Sequence, residues 1–277
     1  VVGINDVQQF YSLPPMDIVN AYSKFFTQVN SIVTQTKGIV QVLPQTMGIC
    51  AYWDTRGQEQ KAISAALDIV NYTKQLSAQL EKENYPALRV SCGIHSSHVL
   101  AGNIGMSNSR LFSIVGSLLS RTELMQKYCS YMKMNLIVSE ATWSNSNKLF
   151  VGRPVDILKL DEESMITIYE ISCKINARTG DEWVHELDGK GKEEGYADFN
   201  NAFSLMNRSY LQEARDLFKR YSVANENDGP TANMLQVIET LEEREDLNAI
   251  RYSCTPMMSF VKRVEDVCIS QHNFPLL

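Results

Sequence analysis

The sequence predicts an α+β fold: a ferredoxin-like βαββαβ sheet carrying helices on one face, followed by an all-helical C-terminal extension. Three observations lead there. Through residue 172 of the 277, the apolar period alternates between about 2 and about 3.6, in the order β-α-β-β-α-β and then β-α-β-β. Residues 187–195, LDGKGKEEG, then form a charged, glycine-containing linker. Beyond the linker only the helical period recurs.

The elements follow in order. Val1 to Asp6 is a short apolar run that reads as a strand. Residues 15–35 place Ile18, Tyr22, Phe25, Phe26, Val29, Ile32 and Val33 on one helical face, with Pro15 in the first position. Gly38 ends that helix. GIVQVL and GICAYW then read as two strands joined by a turn at 44–46. Residues 58–82 give a second amphipathic helix through Ile63, Ala66, Leu67, Val70 and Leu80. Strands are expected at 88–95 and 111–115, a short helix at 118–130, and a strand running into a helix in NLIVSEATW. Residues 150–172 read as a hairpin.

Past the linker come helices at Tyr196 to Asn207, Tyr210 to Ala224 and Pro230 to Leu247. Phe199, Ala202, Phe203 and Met206 are expected to face Ala214, Leu217 and Phe218 in a helical hairpin. Asp228-Gly229-Pro230-Thr231 is a helix start, and Glu239 to Asp246 a solvated face. The expected organisation is therefore a domain at 1–172, a linker at 173–195 and a helical extension at 196–277.

Composition narrows the function classes. Apolar residues make up 44% and charged residues 21%, enough for a real core. The balance of 26 basic against 32 acidic residues leaves −6, which argues against nucleic acid or an anionic membrane as the main partner. No apolar run reaches the ~18 residues of a membrane span, so no membrane insertion is expected. Cys50, Cys92, Cys129, Cys173, Cys254 and Cys268 are scattered without a CxxC pair. That argues against a disulfide framework or zinc module and for a reducing, cytoplasmic compartment. The chain opens inside its first strand, without an initiator Met or signal peptide, and is expected to be a piece of something longer, which could be the cytosolic part of a membrane-anchored protein.

The ordered segments carry a resemblance. VVGINDVQQFYS resembles the first strand and D-I-x-G-F-T turn of the class III nucleotidyl (adenylate/guanylate) cyclase catalytic domain. TMGICAYW resembles its G-D-G-x-x-A-x-F, VSCGIHSSHVLAGNIG its G-I-H-x-G-x-x-x-G-N-x-G, and RLFSIVG its R-x-x-Y-T-V-x-G. LIVSEATW and RPVDILKLDEESMITIYEI complete the order. The tail, through YLQEARDLF and NDGPT, resembles the tetratricopeptide-like extension that follows some cyclase domains.

The resemblance implies a head-to-tail dimer with two metal ions, Mg or Mn, at its interface, one activating the ribose 3′-hydroxyl and the other holding the triphosphate. Two aspartates bridge such ions. Asp6 stands at the first position, as a vestigial metal ligand or a turn former. Met47 stands at the second, between Thr46 and Gly48. A slipped register would make Asp54 the ligand instead; Gly48, Ala51 and Trp53 argue for the unslipped alignment. In the family pattern G-D-x-V-N-x-A-x-R, Ser117 takes the aspartate position, Ser120 the asparagine and Leu124 the arginine. Leucine cannot offset phosphoryl charge. Arg121, one turn earlier, is a poor substitute. The lysine expected in the last hairpin is replaced by the acidic Asp161-Glu162-Glu163.

His95 and His98 have no acidic or cysteine neighbours for a metal, and the family carries a histidine at the first of them without one. Ser97 replaces a family glycine. The GKGK at 189–192 lacks the strand of a phosphate loop and reads as linker. Met125, Met132 and Met134 read as core or dimer packing, and Gly102 to Gly116 as the arm that family members give to their partner.

The expectation is thus a catalytically impaired cyclase-homology domain acting as a regulatory or dimerisation module, with no cofactor and weak or absent nucleotide binding. Its partner would be a second copy or another cyclase-type domain. The competing readings are an active adenylate or guanylate cyclase working with a partner domain, and a scaffold whose helical tail binds a protein.

Overall fold

The computed structural model describes residues 1–43, 48–106, 109–159, 165–175 and 194–243. The strands are β1 (Val2–Asn5), β2 (Ile39–Leu43), β3 (Gly48–Tyr52), β4 (Arg89–Ile94), β5 (Leu100–Met106), β6 (Ser109–Val115), β7 (Leu136–Ser139), β8 (Phe150–Lys159) and β9 (Met165–Lys174). The helices are α1 (Pro15–Gln35), α2 (Gln58–Lys82), α3 (Leu118–Tyr131), α4 (Glu140–Ser144), α5 (Ala197–Asn207), α6 (Leu211–Ala224) and α7 (Gly229–Glu243). A 3-10 turn over Val7–Ser12 follows β1. No described helix is long and apolar enough to cross a membrane.

Seven strands form one sheet in the order β2-β3-β1-β4-β7-β9-β8, and β5 pairs only with β6. β1 runs antiparallel to both neighbours, with Val2 opposite Ile49 on one side and Cys92 on the other. β4 and β7 are parallel, Cys92 opposite Leu136. The chain groups into two compact units. Among the described residues, one holds those of 1–152 and 170–175, and the other those of 153–169 and 194–243, so the described distal part of the last hairpin belongs with the helices.

In the first unit the predicted helices form because their apolar faces find the sheet. Phe25, Val29 and Val33 of α1 and Ile63 and Ala65 of α2 are completely buried. Burying each large side chain stabilises by about 1.5–3 kcal/mol. Met125, Met132 and Met134 are core residues.

Helices on a single face were expected, and the structure corrects this. A Cβ built on Gly93 would meet the backbone N of Gln126 at 2.7 Å and the carbonyl O of Thr122 at 2.9 Å, so α3 lies directly on that face of β4. Successive residues of a strand point to opposite sides. Cys92 and Ile94 therefore point the other way, toward α2, which also packs on β4. Two further elements escaped the sequence reading, the 3-10 turn and β5. The turn at 44–46, residues 244–247 of the third predicted extension helix, and the GKGK segment lie outside the described residues.

Four helices end alike. Lys37, Asn84, Lys133 and Ser209 follow α1, α2, α3 and α5 with left-handed φ of 63°, 62°, 57° and 69°. In each case the next N–H returns to the carbonyl five residues back: Gly38 to Val33, Tyr85 to Leu80 and Met134 to Cys129 at 2.9 Å, and Tyr210 to Leu205 at 3.0 Å. These are Schellman ends.

In the second unit Phe199, Ala202, Phe203, Ala214 and Phe218 form the expected hairpin core, joined by Met234, Ile238 and Leu241 of α7 and by Ile157 of β8. Arg153 of β8 is 2% exposed. Its guanidinium pairs through both nitrogens with Asp228, and Nη1 also donates to the Tyr221 hydroxyl at 3.0 Å. It sits over the rings of Phe199 at 4.4 Å, Tyr196 at 4.8 Å and Tyr221 at 5.6 Å. Asp228 in turn caps α7, accepting from the Thr231 N–H at 3.0 Å and from the Thr231 hydroxyl.

Candidate functional site

Asp6 follows β1 directly and is exposed. Its φ is 55°, a left-handed conformation that aspartate tolerates better than most residues. Its side chain caps nothing; its carbonyl accepts from the Gln9 N–H at 3.0 Å, so the backbone here builds a turn. Met47, the second metal position, and Asp161 to Glu163 lie outside the described residues. Asp54 is exposed, two residues past the end of β3. Among the described residues no three His, Cys, Asp or Glu side chains are grouped to hold a metal ion.

The other half lies on α3. Ser117 is its N-cap residue, exposed, and its side chain caps nothing. The Ser120 hydroxyl, also exposed, donates to the Ser117 carbonyl at 3.0 Å. Leu124 is partly buried. The helix is held to the sheet by polar bonds the sequence reading missed. Asn5 Oδ1 accepts from the hydroxyls of Ser91 and Ser130, both at 2.9 Å, and Gln126 Nε2 donates to Ser91 Oγ at 2.7 Å. This network fixes where Ser120 and Leu124 stand relative to β1 and β4.

His95, just past β4, is half-buried as a residue, but both ring nitrogens are closed off from solvent and have no hydrogen-bond partner among the described residues. Burial, and secondarily the charge of Arg121, hold its pKa below the ordinary histidine value. Cys50, Cys92 and Cys129 are buried free thiols, and burial pushes Cys92 up to about 12. Cys254 and Cys268 lie outside the described residues.

The His95 shift has a sign that can be measured. The unfolded state takes up this proton near pH 6.5, the folded state only at lower pH. Stability from His95 is therefore full above about pH 6.5 and is lost as pH falls from there toward the folded pKa. Urea unfolding at pH 7.5 and pH 5.5 should show the wild type losing more stability on acidification than His95→Gln. Equal losses would mean that His95 titrates normally in the fold.

The chain matches the model of the adenylate and guanylate cyclase catalytic domain over residues 2–172. No curated protein matches it. Solved cyclase structures share its fold, and three serve as examples. The adenylyl cyclase CyaB from P. aeruginosa is 16% identical, with 62% of this chain and 90% of that one covered at a TM-score of 0.54. The guanylyl cyclase Cya2 is 14% identical, with 65% and 92% covered and a TM-score of 0.54. The non-canonical dimeric guanylyl cyclase domain of the RhoGC fusion protein from the aquatic fungus Blastocladiella emersonii is 16% identical, with 62% and 93% covered and a TM-score of 0.52. With its sheet order, its β5–β6 arm and the family match over more than half its length, this chain belongs to the adenylate and guanylate cyclase catalytic domain family.

Proposed function

We propose that this chain is a catalytically impaired cyclase-homology domain that serves as a regulatory and dimerising partner in cyclic-nucleotide signalling within the cytoplasm. The observation that carries the reading is the composition of α3. Its first turns offer a locally bonded Ser120 and a partly buried Leu124 where the family pattern has asparagine and arginine. A leucine supplies no charge for a transferring phosphoryl group, and loss of one such electrostatic group costs about 10² or more in rate. Arg121 does not replace it well, since it starts one helical turn earlier, about 4.5 Å back along the axis. On the metal side, Asp6 alone gives a divalent ion too few carboxylates. Either half, joined to an intact partner, leaves its composite site short of a group.

Dimerisation is supported by the arm. Val99, Leu100 and Val115, at the base of β5 and β6, are exposed at 41%, 74% and 48%. Apolar side chains gathered at one place on a surface mark a contact region. The dimeric fungal relative points to a second cyclase-type domain as what meets it.

With ATP or GTP, and with magnesium or manganese, the isolated chain is expected to release no cyclic nucleotide above a denatured-protein blank. Nucleotide binding is expected at millimolar affinity at best, since the family's positively charged positions are empty of charge and acidic residues stand at 161–163. Turnover abolished by Asp6→Ala would overturn the reading, as would micromolar binding of magnesium nucleotide in a thermal-shift titration.

A further inference from the structure

The segment 95–99 joins β4 to β5 and so carries the root of the arm. Among the described residues, its backbone makes no hydrogen bond outside the strand ladders. One side-chain bond ties it to α4, between the hydroxyls of Ser96 and Thr142 at 2.8 Å. Ser97, His98 and Val99 are exposed. A cavity of about 460 Å³ is lined in part by the segment, so along that side it does not rest on packed core. A stretch so sparsely held opens more easily than the sheet it leaves. The buried ring of His95 is its anchor. Both ring nitrogens are closed to solvent and have no hydrogen-bond partner among the described residues. A neutral imidazole can be held in this way, but an imidazolium only at a much greater cost.

We propose that His95 is an acid-sensitive latch: protonation of its ring frees the segment 95–99 and loosens the arm that begins at Leu100. An imidazolium carries a charge and two donors, and the sealed site answers neither. The titratable groups on the surrounding elements are Arg121 of α3, Glu140 of α4, Asp54 and Glu59 around the start of α2, the Val1 ammonium beside β4 and His98 of the segment itself. The charge of Arg121 adds to the penalty on a second cation, and no described carboxylate is bonded to the ring. In the opened segment the ring meets water and takes up its proton near pH 6.5, while the closed one does so only at lower pH. Opening is therefore favoured as pH falls below about 6.5, by up to tenfold per pH unit, and the latch is shut above it. The device works within one chain, whether or not a partner meets the arm.

Amide hydrogen exchange of the 277-residue chain, read by mass spectrometry as protection factors at pH 7.5 and 5.5, tests this. Protection of residues 96–106 is expected to fall by up to about tenfold on acidification, while α3 keeps its own. His95→Phe, which has no titrating ring, should protect 96–106 equally at both values. Unchanged protection in the wild type, or an equal fall in His95→Phe, would overturn the proposal. So would a parallel fall in α3, which reports opening of the whole unit. Should His95→Phe fail to fold by circular dichroism, the wild type decides alone. Followed to lower pH, its loss of protection at 96–106 must level off where the ¹⁵N resonances of the His95 ring titrate, and a mismatch between the two overturns the latch.

Discussion

Asp228→Ala is expected to destabilise the helical unit by about 3–5 kcal/mol, the cost of leaving one member of a buried ion pair without the other. Arg153 cannot leave: it is 2% exposed, enclosed by Phe199, Tyr196 and Tyr221, and its charge cannot be shed as a proton. The aromatic faces attract the guanidinium but do not neutralise it. The same substitution removes the cap of α7, worth about 1 kcal/mol by itself. Adding Arg153→Met should recover most of the loss, because an apolar side chain of similar length needs no counter-charge. Urea unfolding of the two variants and the double variant checks this. A single Asp228→Ala variant within 1 kcal/mol of wild type would show that the pair does not hold the unit together.

The second large effect is expected at Gly93. Gly93→Ala should cost about 3 kcal/mol, near the upper end for overpacking a close-packed interior. The added Cβ would press on two backbone atoms of α3, the Gln126 nitrogen and the Thr122 oxygen, which no rotamer change can move aside. The helix would have to lift, straining the Asn5–Ser91–Gln126 bonds. Gly3 makes an internal comparison. The three atoms nearest to a Cβ there all belong to the flexible end of Gln126, which can swing away at the loss of its bond to Ser91. Gly3→Ala should therefore cost about 1 kcal/mol, one hydrogen bond. Equal denaturant midpoints for the two variants would contradict the close seating of α3.

The contrast between these effects and the sequence reading shows what local pattern carries. α1 and α2 were legible to the residue, since an apolar stripe of period 3.6, with Pro15 opening the first, states both type and extent. β5 was not, because LAGNIGM has two glycines and no alternation, and it pairs only with β6, outside the main sheet. The glycines that admit α3 to the second face of the sheet leave no periodic trace. At the site, the residue types at Asp6, Ser117, Ser120 and Leu124 could be read from motif spacing. The state of His95 could not: nothing in GIHSSH tells that its nitrogens are buried or that Arg121 lies near. Arg153 and Asp228 are 75 positions apart, and only the fold makes them partners.

The Schellman ends bear on how this surface can drift over generations. Lys37, Asn84, Lys133 and Ser209 are all exposed, so solvent places almost no demand on their side chains. Backbone handedness does. At φ near +60° a branched Cβ crowds its own carbonyl, so valine, isoleucine and threonine are barred there, while glycine and asparagine are admitted freely. Relatives should vary at these four places in charge and length, yet keep clear of β-branched residues. Their restricted alphabet would look like selection for a contact, though it arises from chirality alone.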